Sequence, residues 1–529
     1  MNNIVLIGFM GSGKSTVGPL LAERLGRRFR EIDEEVAADA GTSITQIFAG
    51  EGEPGFRRRE AACLERALQA DGQVIAVGGG APLASDNWHR MRDGNCVVAL
   101  TAAPGELARR LNGSSRRPLL EPDTGTAIAR LLPQRISRYL EADLVVATDG
   151  RPPEQVADEL ASMIPGDLQR IPVEIPGAAH EAVIGNNLGE LPGSYLRRSG
   201  AKGSVLVVTD PVVARAHSGP VIEGLERAGF AVQLQLLPAG EPAKSLETLG
   251  ALLERLGELR LDRSGALVAL GGGTVGDVAG FAAATWLRGI RYLQLPTTLL
   301  AMVDSSVGGK TAINLRSGKN LVGAVHQPVA IICDLDYLET LPEPEFRSGM
   351  AEICKAAMIA DAEFAGWLQQ SSARILERDK AALREMVSRA LAIKASVVRE
   401  DPGETGRRAI LNYGHTVGHA IESVLGYGTI RHGDAVAWGM AVAAELSATT
   451  GRCSPDVTTR QRDLLRAFNL LEHRPQVDRG ELREAMAHDK KSRGGEIGWV
   501  LLQRVGQAEW GCRVGEEQVS AALDKVLPR

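Results

Sequence analysis

Two stretches of this 529-residue chain place reactive residue types at spacings that can do chemistry. The first is Gly8-Phe-Met-Gly11-Ser12-Gly13-Lys14-Ser15-Thr16, a G-x-x-x-x-G-K-[ST] pattern between an apolar run and an amphipathic segment. Glycines there let backbone N–H groups fold around phosphate oxygens, and the start of the next helix adds favourable partial charge. Lys14 is placed to reach the β- and γ-phosphates of a nucleotide, and the Ser15 hydroxyl to ligate Mg²⁺. The second stretch, Leu411-Asn412-Tyr-Gly-His415-Thr-Val-Gly-His419-Ala-Ile-Glu422, sets two histidines four residues apart on one helix face. A third opens His432-Gly-Asp-Ala, and Glu352 stands upstream in Ser348-Gly-Met-Ala-Glu352-Ile-Cys-Lys355. Histidines and a carboxylate brought together make a three-ligand zinc site with an open position. Spacing alone does not say which histidines bind.

A further glycine run, Gly271-Gly272-Gly273-Thr274-Val-Gly-Asp277, follows a buried-type apolar segment. It is not the G-x-G-x-x-G of the usual dinucleotide fold, but its glycines serve the same end, close backbone approach to a pyrophosphate. Asp210 ends an earlier apolar run and suits either a ribose hydroxyl or a helix cap. Asp304-Ser-Ser-Val-Gly-Gly-Lys310 reads as a loop, with Lys319-Asn320 close behind.

The elements that must hold these residues follow from composition and periodicity. The chain is too long for one core, so two or more domains are expected. With 44% hydrophobic and 24% charged residues it has the balance of a soluble globular protein, and a net charge of −5 gives no reason to expect nucleic acid or an anionic membrane as partner. Six scattered cysteines without a C-x-x-C pair argue against disulfides or a cysteine-ligated metal, and a reducing cytoplasm is expected. The opening residues lack a basic segment and a cleavage site, so they read as a first strand running into the phosphate loop. No apolar run is long enough for a membrane helix.

Up to about Pro165, short apolar runs (4–7, 74–77, 97–100, 144–147) alternate with helix-like segments, which implies a parallel sheet covered by helices. Residues 166–172 read as a connector. A second α/β series occupies 173–341, and 342–529 reads as mostly helical. These are three structural units carrying two activities.

The first unit resembles shikimate kinase over nearly its whole length, on Glu31-Ile-Asp33, Phe56-Arg57-Arg-Arg-Glu60, Gly78-Gly79-Gly80-Ala81, Arg117-Pro-Leu-Leu120 and Arg135. The resemblance implies that ATP and shikimate are substrates and that Asp33 holds a substrate hydroxyl and acts as base. Arg57 and Arg135 would grip the carboxylate, as paired guanidinium groups do well, and Gly79 would let backbone approach the ring. Arg117 would steady the transferring phosphoryl group from a lid, and Arg151 would contact adenine. One departure stands out: the family usually has Asp where this chain has Glu31, a residue that helps order the Mg²⁺ water shell.

From about Val173 onward the chain resembles 3-dehydroquinate synthase, whose motifs recur in order. The resemblance implies Glu352, His415 and His432 as ligands of zinc, with cobalt an alternative ion. It implies an NAD site of Asp210, Glu241, Lys244, Gly272, Gly273, Thr274, Asp277, Thr297, Thr298 and Lys319. It assigns substrate contacts to Arg288, Asp304, Lys310, Asn320, Lys355, Lys394, Arg408, Asn412, His419 and Lys490 (or its neighbour Lys491). His419, Lys310, Asp304 and Glu404 would carry proton transfer and positioning. So many cations repel one another unless an anion compensates them. A substrate with both phosphate and carboxylate, 3-deoxy-D-arabino-heptulosonate 7-phosphate, supplies that charge. The implied cycle is oxidation, phosphate loss, re-reduction and intramolecular aldol closure to 3-dehydroquinate, with no net redox change. A homodimer through the synthase part is a family expectation. The competing expectation is an unrelated P-loop kinase or ATP-sensing module fused to a glycerol-dehydrogenase-like oxidoreductase, whose substrate is neutral.

Overall fold

Four apolar runs and one charged edge segment become the strands of a five-stranded sheet: Ile4–Ile7 (β1), the charged Arg28–Glu31 (β2), Gln73–Ala76 (β3), Cys96–Thr101 (β4) and Leu144–Ala147 (β5). Their order is β2-β3-β1-β4-β5. Every pairing is parallel, with Ile4 opposite Val74 on one side and Cys96 on the other. β1 and β3 are buried along their whole length, as strands covered on both faces must be. The chain turns out of β1 at Gly8, where a Cβ would lie 2.2 Å from the Leu100 carbonyl oxygen. The computed structural model describes residues 2–112, 124–175, 178–404, 406–426, 428–492 and 497–527, the side chains of 488–492 excepted.

The second sheet has seven strands: Gln169–Ile175 (β6), Ala178–Gly185 (β7), Ser204–Thr209 (β8), Ala231–Leu236 (β9), Ala266–Gly271 (β10), Arg291–Pro296 (β11) and, after the hairpin Lys310–Leu315 (β12) and Gly318–Val325 (β13), Ile331–Asp334 (β14). The order is β6-β7-β14-β11-β10-β8-β9. Residues 169–172, read as connector, lie in β6. The chain divides into two compact units. One joins 1–170 with 185–205 and 219–232, and the other joins 171–184, 206–218 and 233–529.

Beyond residue 342 helices dominate, among them Glu343–Ala360, Lys380–Glu400, His415–Leu425 and His432–Thr449. The antiparallel hairpin Trp499–Arg504 (β15) and Gln507–Cys512 (β16) interrupts them. Glycine sets how closely these helices approach. A Cβ on Gly439 would sit 1.9 Å from the Gly414 carbonyl oxygen, and one on Gly433 would sit 2.1 Å from that of Ser348. Backbone atoms cannot step aside, so the Gly439→Ala variant is expected to lose about 3 kcal/mol of stability, read from its urea midpoint. Among the described residues no helix is long and apolar enough to cross a membrane.

Candidate active sites

In the first site the phosphate loop bridges β1 and the helix Lys14–Arg24, with Gly11 at φ 80° and Gly13 at φ 103°. Gly13 offers that helix no side-chain cap, so its first N–H groups face the loop. The Lys14 ammonium donates to the carbonyls of Gly8 (2.8 Å) and Phe9 (3.2 Å). The Ser15 hydroxyl is hydrogen-bonded to Glu31, whose longer side chain therefore reaches the proposed Mg²⁺ ligand. Burial raises the Glu31 carboxyl above its usual range, against the hydrogen bond from Ser15.

Asp33 opens the helix Ile32–Ala40, and its Oδ1 is buried without a hydrogen-bond partner. Facing it is Glu60, fully buried, with one oxygen also unpartnered and the other accepting from Arg57 at 2.7 Å. Burial raises the Glu60 carboxyl, and Arg57 only partly offsets this. Gly78 makes room for both acids, since a Cβ there would lie 2.3 Å from Glu60 and 2.9 Å from Asp33. Arg135 is buried over the Phe9 ring and borders Gly79, whose carbonyl accepts from Tyr139. Asp33, Arg57, Gly79 and Arg135 thus line one place. Arg151 is ion-paired with Glu159, and Arg117 lies outside the described residues.

Two residues to which the sequence assigned no role support this site. Glu60 holds Arg57, a pairing visible only as an i,i+3 spacing. Arg110 donates to the Gly11 carbonyl (3.3 Å) and to Thr148 (2.9 Å at the hydroxyl), tying the loop to the end of β5.

In the second site the close helix approach at Gly414 and Gly433 brings Glu352, His415 and His432 together, with one ligand atom from each within 4.8 Å of the others. Glu352 Oε1 is buried, accepts no hydrogen bond, and lies 3.7 Å from Nε2 of both His415 and His432. Glu352 is also ion-paired with the buried Lys355. His432 Nδ1 is 3.0 Å from Glu422, which leaves Nε2 facing Glu352. A carboxylate on the outer imidazole nitrogen is the usual second partner of a metal-binding histidine. These donors fit a divalent ion bound by two imidazoles and one carboxylate. His419, Glu422 and His432 form an alternative cluster, but there Glu422 already engages His432 and lies 3.8 Å from Lys319. Glu422 is a third residue to which the sequence assigned no role. It lies seven positions after His415, on the same helix face.

Protonation follows from these neighbours. Burial holds His415 well below its usual pKa, and Lys355 adds to this. Burial also opposes a proton on His432, but the Glu422 bond and the Glu352 charge outweigh it and raise that pKa. Asp304 lies in a wide π-turn, Ala301–Ser305, ion-paired with Lys394. Burial would raise its carboxyl, yet Lys394 and Lys355 hold it well below the usual range. Arg408 is buried against Gly308 in the same loop, and Asn412 ends the turn leading into His415. His419 is exposed, its ring centroid 5.1 Å from that of His415. Lys310 is exposed and paired with Glu404. Arg288 is also exposed, at φ 65°, and nothing among the described residues links it to the cluster. The Lys490 side chain lies outside the described residues.

The glycine run opens the helix Gly273–Thr285 directly after β10. A Cβ on Gly272 would meet Thr298 at 3.0 Å, and one on Gly273 would meet Ser305 at 2.9 Å, so the loop leaves a cradle only glycine permits. Thr297 is buried beside it, and Thr274 is half-buried. Lys244 donates to Asp277 at 2.6 Å and also bonds Asn320, while Glu241 accepts from Asn314 at 2.6 Å. Asp210 caps its helix, accepting from the Val212 and Val213 amides at 2.8 and 3.0 Å.

Burial pushes the Asp277 carboxyl up to about 6 although Lys244 lowers it. A folded pKa above the unfolded value means the folded state binds the proton more tightly. Stability is therefore fully present below pH 4 and declines as pH rises toward 6. Asp277→Asn is expected to remove this decline, on the order of 2 kcal/mol, in urea unfolding compared at pH 4.5 and pH 7.

A phosphate-loop module followed by a sheet-and-helix unit with an imidazole–carboxylate cluster defines a fused enzyme with two separate sites. Family models match shikimate kinase over residues 10–165, the 3-dehydroquinate synthase N-terminal region over 234–348 and its C-terminal region over 349–492. The 3-dehydroquinate synthase of Pelobacter propionicus is 48% identical over 320 residues, 60% of this chain and 89% of that protein. That of Desulforamulus reducens is 44% identical over 356 residues, 67% of this chain and 99% of that protein. The chain belongs to the 3-dehydroquinate synthase family and carries a shikimate kinase domain ahead of it. Among solved structures, 2-epi-5-epi-valiolone synthase from Streptomyces hygroscopicus subsp. jinggangensis 5008, with NAD⁺ and Zn²⁺ bound, is 26% identical, covering 67% of this chain and 98% of its own, with a TM-score of 0.62. A 2-deoxy-scyllo-inosose synthase complexed with carbaglucose-6-phosphate, NAD⁺ and Co²⁺ is 28% identical, covering 68% and 99%, with a TM-score of 0.60.

Proposed function

We propose that this chain catalyses two reactions of aromatic biosynthesis in the cytoplasm: ATP-dependent phosphorylation of shikimate, and conversion of 3-deoxy-D-arabino-heptulosonate 7-phosphate to 3-dehydroquinate and phosphate. The working boundaries are 1–165 for the kinase, 166–172 for the connector, 173–341 for the NAD-binding part and 342–529 for the metal and substrate part. Small molecules are its partners, with no role for nucleic acid or membrane, and it forms a homodimer through the synthase part.

In the kinase, Asp33 takes the proton of the attacking hydroxyl, its unpartnered oxygen facing the space that Gly78 leaves open. Arg57, held by Glu60, and Arg135, held over Phe9, orient the substrate carboxylate. Lys14 and the loop amides position the phosphates, Ser15 holds Mg²⁺ while Glu31 orders its water shell, and Arg117 and Arg151 complete the ATP site.

In the synthase, Glu352, His415 and His432 hold zinc, and the glycine cradle with Asp210, Glu241, Lys244, Asp277, Thr297, Thr298 and Lys319 holds NAD. When bound, zinc polarises a substrate hydroxyl and NAD is a reversible hydride acceptor. Glu422 fixes the His432 ring so that Nε2 meets the metal side. Lys355, Lys394 and Arg408 neutralise the substrate anions, Asp304 keeps Lys394 oriented, and His419 moves protons at the open face.

The observation that carries the synthase reading is the buried Glu352 oxygen with no hydrogen bond, facing two imidazole nitrogens. Assaying the purified chain for both reactions with and without a zinc chelator tests the reading. Chelation is expected to abolish synthase turnover, with recovery on zinc addition, while kinase activity persists with Mg²⁺. Synthase turnover unchanged in a demonstrably zinc-free protein would sink the metal assignment.

A further inference from the structure

Within the first compact unit lies a cavity of about 140 Å³ whose wall includes Arg151, Arg197 and Arg227 as well as Asp143, Glu159 and Glu190. By count the wall is neutral, but the pairing is uneven. Glu159 is ion-paired with Arg151, and Glu190 with Arg227. Asp143 is taken by Arg170 at 2.8 Å, with Arg198 at 3.9 Å. Arg197 is left over. Its Nη1 donates to the Ala228 carbonyl at 3.2 Å, its Nε is buried without a hydrogen-bond partner, and no carboxylate among the described residues pairs with it. Burial and the neighbouring Arg198 both weaken its hold on the proton. A guanidinium keeps its charge in proteins all the same, so the wall carries a half-buried cation with no carboxylate partner. Such a charge is unfavourable unless an anion meets it.

We propose that this cavity binds a small phosphate-class oxyanion, with Arg197 as its principal ligand. A planar fork of N–H donors matches the tetrahedral oxyanion well. The cavity has room for several water molecules, enough for such an ion. The neighbouring carboxylates are each engaged by an arginine, so they do not cancel the Arg197 charge. Neither proposed active site uses Arg197 or Arg227, so the anion's principal ligand lies outside both reactions, although Arg151 in the same wall is also assigned to the ATP site.

The test is calorimetric titration of the full-length protein with inorganic phosphate, with Mg–ADP present to fill the phosphate loop, for wild type and Arg197→Gln. Subtracting the two titrations isolates the cavity from any phosphate bound elsewhere. Wild type is expected to show one phosphate equivalent that weakens by about tenfold or more in the variant. Melting in phosphate-free buffer adds a readout with a sign. Removing an uncompensated charge should raise the Arg197→Gln midpoint by roughly 1–3 °C, and phosphate should raise wild type alone. Arg197→Lys, which keeps the charge without the fork, should retain weak binding. Ribose 5-phosphate separates sources: competition by sulfate alone assigns the free ion, and equal binding of the ester assigns a phosphate monoester. Superimposable titrations of wild type and Arg197→Gln, with a lowered midpoint in the variant, would overturn the proposal.

Discussion

Replacing Glu352 with Gln is expected to lower synthase turnover by about 10³-fold or more and to leave the protein without stoichiometric zinc, while kinase turnover is unchanged. The substitution keeps the volume and shape of the side chain, so packing is not the cause. What it removes is the negative charge facing two imidazole nitrogens. It has a second consequence. Lys355 is buried and ion-paired with Glu352, so the variant takes away its ion-pair partner and leaves only the nearby Asp304 charge, at a cost of about 3 kcal/mol. The double variant Glu352→Gln/Lys355→Met should therefore regain most of the stability and none of the synthase activity. Metal analysis, urea unfolding and the two activity assays together check this. If the double variant regained activity along with stability, the single-variant loss would have been a folding effect and Glu352 no ligand.

The reciprocal result is expected at the other site. Lys14→Met should reduce shikimate phosphorylation by about 10²–10³-fold, since one preorganised cation aimed at the transferring group is lost. Synthase activity should stay at the wild-type level. In this structure the ammonium rests on the Gly8 and Phe9 carbonyls, so methionine takes this donor from both, while the Phe9 carbonyl keeps the Ser12 amide at 3.1 Å. The loop glycines, with their positive φ angles, stay in place, and ATP is expected to bind more weakly instead of not at all. Single-turnover kinetics with ATP and shikimate, set beside nucleotide binding by calorimetry, separates the two effects. A fall in synthase activity in the same variant would contradict independent sites.

The sites differ in how much of them could be read beforehand. The phosphate loop is local: its pattern occupies eight consecutive residues, Gly8 to Ser15, and strand, loop and helix are neighbours in sequence. Most strands of both alternating α/β segments were likewise legible from short apolar runs, because a strand buried on both faces needs little else, but the charged edge strand β2 was not. The β15–β16 hairpin escaped a reading dominated by helix-forming composition. So did the placing of residues 169–172 in β6, where proline and polar residues mimic a connector.

His415 and His419 share a helix face, and that much spacing alone supplied. The choice of His432 over His419 as partner of Glu352 depends on a contact 80 residues away in sequence, made by helices whose approach the glycines permit. The role of Glu422 could not be seen at all until His432 was placed beside it. Residue types, loop chemistry and the order of elements were determined by the sequence itself, because they depend on interactions between near neighbours along the chain. Which imidazole nitrogen faces the carboxylate, and which charges stay uncompensated, was decided only by the tertiary structure, since burial and distance are properties of the packed chain.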